Sequence, residues 1–319
     1  MMPLRAAIVG LGQVGMRFDE DPRRTGVWTH FTAYEKLAER FDLTAVCDPD
    51  QTRLEVAVKR RPQVKAYSDI AQLLAKESVD VVSLCTPPEF HASQILQCSG
   101  KVKAIICEKP LADAAAPARE AVEVCRSKGT LLAVNYYKRF DGVIPAAKQW
   151  ITRGGLGRLK LVNAIFCGPL DAVGSHMVDL LRFLFGELEI CGCAEVGMDR
   201  WSLTMRAANE ALVCMHNVGP REEFVFEVDA LGDLGRVRIT NNGSDIEFFR
   251  YRESERYSGY RELFLEQESP GAMAERFVPL FLEVADVLDG TRDAVTSDGG
   301  DALRTQQMLE EIAQILKQR

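Results

Sequence analysis

Five short runs punctuate the first 135 residues: RAAIVG (5–10), LTAVC (43–47), VDVVSLC (79–85), VKAIIC (102–107) and LLAVN (131–135). Each is apolar almost throughout instead of alternating, which is the mark of strands buried on both faces. Amphipathic stretches separate them. In HFTAYEKLAERF, Phe31, Tyr34, Leu37, Ala38 and Phe41 recur at helical spacing. Ser68 is placed as the N-cap of the next helix but one, and Gly129 as the residue that ends DAAAPAREAVEVCRSKG. Strand, helix, strand in this rhythm closes through right-handed crossovers into a doubly wound parallel sheet.

Beyond about residue 135 the pattern lengthens. One helical stretch (143–153) precedes longer strand candidates, from RLKLVNAIFCG (158–168) to GRVRITNNGSDIEFFRY (235–251), the last broken by the turn signal NNG (241–243). The mixed-sign run YRESERYSGYRE (251–262) reads as a solvated face or loop. Two helices close the chain, one with Pro279 in its first turn and one capped by Ser297-Asp298. The fold class is therefore α/β followed by α+β: a doubly wound domain over 1–134, then a domain over 135–319 with a large, mostly antiparallel sheet. That second domain is expected to bind substrate and to mediate oligomerisation. The last helix, about 298–318, is expected to pack back on the first domain.

The formal charge of −7 without a basic block argues against a nucleic-acid partner. No apolar run reaches the ~18–20 residues of a membrane span, and MMPLRAAIVG enters a strand without a leader pattern, so a cytoplasmic location is expected. Nine cysteines, scattered among apolar runs, fit buried thiols in a reducing compartment. With four dispersed histidines and no Cys-x-x-Cys pair, no metal site is expected.

GLGQVG places Gly10, Gly12 and Gly15 in the G-x-G-x-x-G spacing, after the first strand and at the opening of a helix. This is the Rossmann context, in which the amides around Gln13 and Val14 hold a pyrophosphate at the helix N-terminus. Asp48 ends the second strand, where a carboxylate accepts from ribose hydroxyls and repels a 2′-phosphate. NAD is favoured over NADP, with Arg53 as a group able to accept the extra phosphate. Asp48 lies 33 residues after Gly15, against ~20 usually. The excess is assigned to an insertion, DEDPRRTGVWTH (19–30). Within it Trp28 and His30 are either lid residues or ordinary packing residues.

CTPPEFHA (85–92) and CEKPLA (107–112) sit at strand ends, where open α/β sheets bind ligands. Together with the glycine motif, NYYKRFDG (135–142) and GSHMVDLLRFLFGE (174–187), they resemble the Gfo/Idh/MocA family of NAD(P)-dependent oxidoreductases over nearly the full length. The resemblance implies that Thr86 and Pro87 line the cofactor's ribose and pyrophosphate, and that Glu108 contacts a cofactor ribose. It implies that Lys109 faces both the nicotinamide ribose and the substrate hydroxyl, aimed by Pro110. A lysine ammonium there stabilises alkoxide character as hydride leaves. His91 either belongs to the cofactor site or caps and packs its helix. Tyr136 is a substrate-binding candidate, and Arg139 either reaches ligand or makes an ion pair. A homo-oligomer is also implied.

His176 is the candidate base, suited to taking a hydroxyl proton near neutral pH. The family commonly places a carboxylate four residues earlier, where this chain has Ala172; Asp171 stands one place further back. In an α-helix five residues correspond to about 140°, which points Asp171 away, whereas an irregular loop lets it swing in. Asp179 shares the His176 face and is read as orienting the imidazole, binding a sugar hydroxyl, or serving the helix. The expected activity is hydride transfer between a nicotinamide cofactor and a secondary alcohol or ketone of a sugar, polyol or nucleotide-linked sugar, with NAD either exchanging or recycled in place. The alternative is a non-catalytic nicotinamide- and sugar-binding sensor. Specificity is assigned to 19–30, 135–145 and 165–180.

Overall fold

In a computed structural model of the chain, residues 2–197, 200–220, 223–270 and 276–318 are described. The chain divides into two units. The first takes in residues up to Tyr137 and a later segment ending at Gln307; the second begins at Lys138 and closes with residues from Met308 onward.

The first unit follows the expected alternation: β1 (Leu4–Val9), α1 (His30–Lys36), β2 (Phe41–Cys47), α2 (Gln51–Arg60), β3 (Lys65–Tyr67), α3 (Ile70–Lys76), β4 (Val81–Leu84), α4 (Pro88–Cys98), β5 (Ala104–Cys107), α5 (Ala115–Lys128) and β6 (Leu131–Val134). The strands pair in parallel in the order β3-β2-β1-β4-β5-β6. Every residue of β4 and β5 is buried, as two-sided cover demands. The edge strand β3 was not anticipated, because Lys65–Tyr67 is short and largely exposed. The α3 cap is Asp69, not Ser68: its carboxylate accepts the Gln72 N–H at 3.0 Å, the N-cap to N3 geometry. Gly129 ends α5 at φ 66°, in the left-handed region.

The second unit holds α6 (Ile144–Thr152), β7 (Leu159–Phe166), α7 (Ser175–Phe185), β8 (Leu188–Gly197), β9 (Arg200–Ala207), β10 (Leu212–Val218), β11 (Phe226–Gly232), β12 (Gly235–Thr240), β13 (Asp245–Glu253) and β14 (Arg261–Pro270). Eight strands form one sheet, β14-β13-β12-β11-β7-β10-β9-β8, antiparallel except between β7 and β10. Burial alternates along β11 and β12, so Val228, Ala230, Val237 and Ile239 join the core while Asp229 and Arg238 occupy the other face. The charged run at 251–262 is not simply a loop. It is the tip of the β13–β14 hairpin, where Arg252 pairs opposite Glu262 and Glu253 opposite Arg261. Opposed charges of this kind favour the register by about 0.2–1 kcal/mol per pair.

Two helices remain. α8 (Val278–Leu288), with Pro279 in its first turn, lies in the first unit. α9 (Gly299–Lys317) starts under an Asp298 cap, which takes the Asp301 N–H at 2.8 Å. Its Ala302 belongs to the first unit's core and its Met308, Leu309 and Ile312 to the second's. No described helix is long and apolar enough to cross a membrane.

Candidate active site

The glycine loop distinguishes what the fold needs from what a ligand needs. Gly10 turns the chain off β1 at φ 92°, and a methyl there would stand 2.7 Å from the Cys85 carbonyl carbon. A methyl on Gly15 would meet the Gly10 carbonyl oxygen at 2.1 Å, so the first helical turn packs directly on the strand end. Gly12 has nothing within 4 Å of the Cβ it lacks. The fold does not require glycine at that position, but a pyrophosphate lying on the backbone does. Gln13 beside it is exposed and Val14 half-buried.

One helical turn follows, with the Met16 N–H donating to Gly12 O at 3.0 Å. Then the ladder jumps. The His30 N–H donates to Val14 O (3.0 Å) and the Phe31 N–H to Gly15 O (3.1 Å), the bonds that residues 18 and 19 would make in an unbroken helix. Twelve residues are thereby looped out, which shortens the effective Gly15-to-Asp48 spacing from 33 to 21, near the usual ~20. The detour closes on itself as a compact loop. Asp19 gathers the Thr29 hydroxyl (2.7 Å), the Thr32 hydroxyl and Arg60 (2.8 Å). Arg24 lies over the Phe18 and Trp28 rings, and Arg276 over the same Trp28 at 4.2 Å.

Asp48 is buried at the end of β2. It accepts the Leu11 N–H on Oδ2 (2.7 Å) and the Asp50 N–H on Oδ1 (2.9 Å), tying the glycine loop to the strand. A carboxylate has roughly four lone-pair sites, so capacity for ribose hydroxyls remains. Arg53 Nη1 approaches Oδ2 at 3.4 Å. After β4, the Thr86 hydroxyl donates to Gln94 Oε1 (2.6 Å), and exposed Pro87 precedes α4. His91 is fully buried with its ring nitrogens on two carbonyl oxygens, Nε2 on Thr86 (2.7 Å) and Nδ1 on Pro110 (2.9 Å). It staples the loop after β4 to the loop after β5, and main chain engages both nitrogens.

Glu108 follows β5 and is 6% exposed. Its Oε1 accepts from His30 Nε2 (2.8 Å) and from Asn135 Nδ2 (2.7 Å). Burial alone would raise its pKa. The His30 and Asn135 bonds and the neighbouring Lys109 charge more than offset this and hold the carboxyl below its usual range. Lys109 is half-buried and joined to Pro110 by a cis peptide bond. Tyr136 is fully buried in the first unit's core. All nine cysteines are free thiols, and Cys107 is buried at the end of β5. Among the described residues no group of three His, Cys, Asp or Glu is placed to hold a metal ion.

In the second unit, the chain enters α7 through one π-turn, Leu170–Gly174, in which the Gly174 N–H reaches Pro169 O at 3.1 Å. An i→i+5 turn takes one more residue than an α-turn. The α-helical arithmetic that separates Asp171 from His176 therefore does not apply across this turn. His176 is 7% exposed and Asp171 is exposed. Asp179 is engaged by Arg139 in a two-bond fork, Nε to Oδ2 at 2.8 Å and Nη2 to Oδ1 at 2.5 Å. Both side chains are all but removed from solvent, and the Arg139 guanidinium also lies over the Phe183 ring at 5.1 Å.

Residues 4–136 match the family model for Gfo/Idh/MocA, described as an oxidoreductase family with an NAD-binding Rossmann fold. They belong to that family. Among curated relatives, D-glucoside 3-dehydrogenase of Escherichia coli is 27% identical over 203 residues, 58% of this chain and 54% of that protein. Myo-inositol 2-dehydrogenase of Thermotoga maritima is 22% identical over 325 residues, 93% of this chain and 92% of that protein. The chain spans about half the length of several curated relatives that it matches. The WlbA dehydrogenase of Bordetella pertussis, solved with NADH and UDP-GlcNAcA, shares the fold at a TM-score of 0.78 and 19% identity, over 99% of this chain and 97% of that one.

Two members of the Gfo/Idh/MocA cradle escaped the sequence reading: Asn135, and His30 as a partner of Glu108. A signal existed for His30. Once twelve residues are removed it stands three positions beyond Gly15, at the base of the first helix. Asn135 carries no comparable signal, being one polar residue at the end of an apolar strand.

Proposed function

We propose that the protein is an NAD-dependent dehydrogenase acting on a secondary alcohol or ketone of a sugar, polyol or nucleotide-linked sugar. The observation that carries this reading is the end of β5, where buried Glu108, held in its charged form, stands directly before half-buried Lys109. The open approach at Gly12 and the carboxylate of Asp48 fit a dinucleotide, and Asp48 favours NAD over NADP. Gln13, Val14, Thr86 and Pro87 complete the proposed cofactor-binding set, with His91 acting through the two loops it joins. Bound there, the nicotinamide supplies a hydride acceptor or donor. Lys109 holds its ammonium toward the reacting oxygen and lowers the cost of alkoxide character. His176 takes or returns the hydroxyl proton, worth about 10²–10⁴ in rate, and Asp171 is its acid partner through the π-turn. Asp179 positions Arg139, which with Tyr136 shapes the substrate side.

The relatives' names support a sugar or polyol substrate. We also take the open face of the large sheet as a self-association surface. Leu161 and Leu212, exposed apolar residues, stand side by side there on β7 and β10. Nine free thiols suit a reducing, cytoplasmic setting.

The test is absorbance at 340 nm with NAD⁺ or NADP⁺ against polyols, aldoses, uronates and nucleotide sugars, alongside Lys109→Ala and His176→Ala. Turnover with NAD⁺ that falls about a hundredfold or more in each variant supports the reading. Undiminished turnover in Lys109→Ala, or NADH binding without turnover on any substrate class, refutes it.

A further inference from the structure

The carboxylate of Glu108 is held by one oxygen only. His30 and Asn135 both donate to Oε1, at 2.8 and 2.7 Å, and among the described residues Oε2 takes no hydrogen bond. An ionised carboxylate accepts and cannot donate, so the proton on this bond sits on His30 Nε2. His30 is fully buried, edge-on to the Phe277 and Phe281 rings at 5.4 and 5.2 Å. Its Nδ1 and the Asn135 Oδ1 are buried without a hydrogen-bond partner among the described residues. Leaving a buried acceptor unmet is costly. This histidine is therefore not arranged to satisfy itself; its one bond goes to Glu108.

We infer that His30 is a positioning residue for cofactor binding: with Asn135 it commits Oε1, fixes the Glu108 rotamer, and leaves Oε2 as the acceptor for a hydroxyl of the cofactor's second ribose, the one beyond the pyrophosphate from Asp48. The inference rests on the reading that Glu108 contacts a cofactor ribose. It also explains why α1 resumes in register after the detour. The bond from the His30 N–H to Val14 O sets the backbone position from which the imidazole reaches Glu108. A purely structural histidine would lower stability when replaced and would weaken every ligand of the domain alike. A positioning histidine weakens the ligand that uses Glu108 and spares one that does not.

The test uses the intact protein and two probes: NADH followed by its fluorescence, and ADP, which engages the glycine loop and Asp48 without a second ribose. His30→Leu is expected to weaken NADH about tenfold or more while leaving ADP within about twofold. His30→Gln, whose amide reaches the same oxygen, is expected to recover most of the loss. In the double variant with Glu108→Gln, the His30→Leu effect on NADH should largely vanish, because the group it positions is already changed. If His30→Leu does not fold, His30→Asn, too short to reach Oε1, replaces it against His30→Gln. NADH affinity that is unchanged in these variants, or equal losses for NADH and ADP, overturns the inference. A wild-type protein that binds ADP but not NADH overturns instead the reading of Glu108 on which it rests.

Discussion

Gly12 and Gly15 are both glycines of one motif, yet their replacement by alanine should fail in opposite ways. At Gly15 the new methyl lies 2.1 Å from the Gly10 carbonyl oxygen and 3.1 Å from the Leu11 Cα, all backbone. Nothing there is a flexible tip that can step aside, so strand end and helix must part. Overpacking of this kind costs about 1–3 kcal/mol, which for a domain of this size lowers Tm by roughly 2–12 °C. At Gly12 the methyl meets nothing within 4 Å, and the residue is not among the positive-φ glycines. Alanine there restricts the unfolded chain and should stabilise by about 0.4–1 kcal/mol, a Tm rise of roughly 1–4 °C. The same methyl stands where a pyrophosphate must approach. Loss of one charge-assisted amide bond, about 1.5–3 kcal/mol, weakens NADH about tenfold to a hundredfold. Thermal shift and NADH fluorescence titration on the two variants measure both quantities. A Gly12→Ala protein that melts as low as Gly15→Ala, or that binds NADH within twofold of wild type, refutes the assignment of that space to phosphate.

Three further outcomes follow from the buried charges and thiols. Replacing Asp179 by leucine removes the two-bond fork on the buried Arg139 guanidinium, so urea unfolding should show a loss of about 3–5 kcal/mol, most of it recovered by Arg139→Met in the same chain; a single variant as stable as wild type contradicts this. The Glu108 carboxyl is depressed in the folded protein, so its stabilisation is complete above the unfolded value of ~4.3 and is lost as pH falls through the lower folded one. The Tm difference between wild type and Glu108→Gln should shrink on acidification from about pH 6 to about pH 3, and a difference that grows would be inconsistent. Burial pushes the Cys47 and Cys98 thiols up to about 12, whereas Cys191 is exposed. Iodoacetamide at about pH 8 should therefore modify Cys191 first and the buried thiols only after denaturation, as peptide mapping would report.

The parts of the fold that the sequence announced are those in which periodicity and burial coincide. β1, β2, β4, β5 and β6 are mostly buried, β4 and β5 throughout, and the doubly wound sheet follows from their apolar runs. β3 escaped because an exposed three-residue edge strand has no such run. The β13–β14 tip escaped because its order comes from cross-strand pairs, Arg252 with Glu262 and Glu253 with Arg261, which look like a solvated charge cluster when read along one chain. Ser68 and Asp69 are both good caps, and only the position of the Gln72 amide decides between them. At the site, Gly10, Gly12, Gly15, Asp48 and Glu108 could be placed at or just beyond strand ends because the apolar runs before them mark those ends. The Asp171-to-His176 register could not, since a π-turn leaves no composition signature and the arithmetic depends on it entirely. Arg139 and Asp179 are forty residues apart, and no local pattern announces their fork.

A helix interrupted at Met16 and resumed at His30 has its register stored in two backbone bonds, to Val14 and Gly15, and not in the continuity of its chain. The detour is thus a graft point. Its sequence and length can drift, or a whole module can enter there, while the glycine loop on one side and the imidazole on the other keep their stations. Rewriting that dozen residues should therefore leave the Val14 and Gly15 bonds, and with them the first helix's register, where they are.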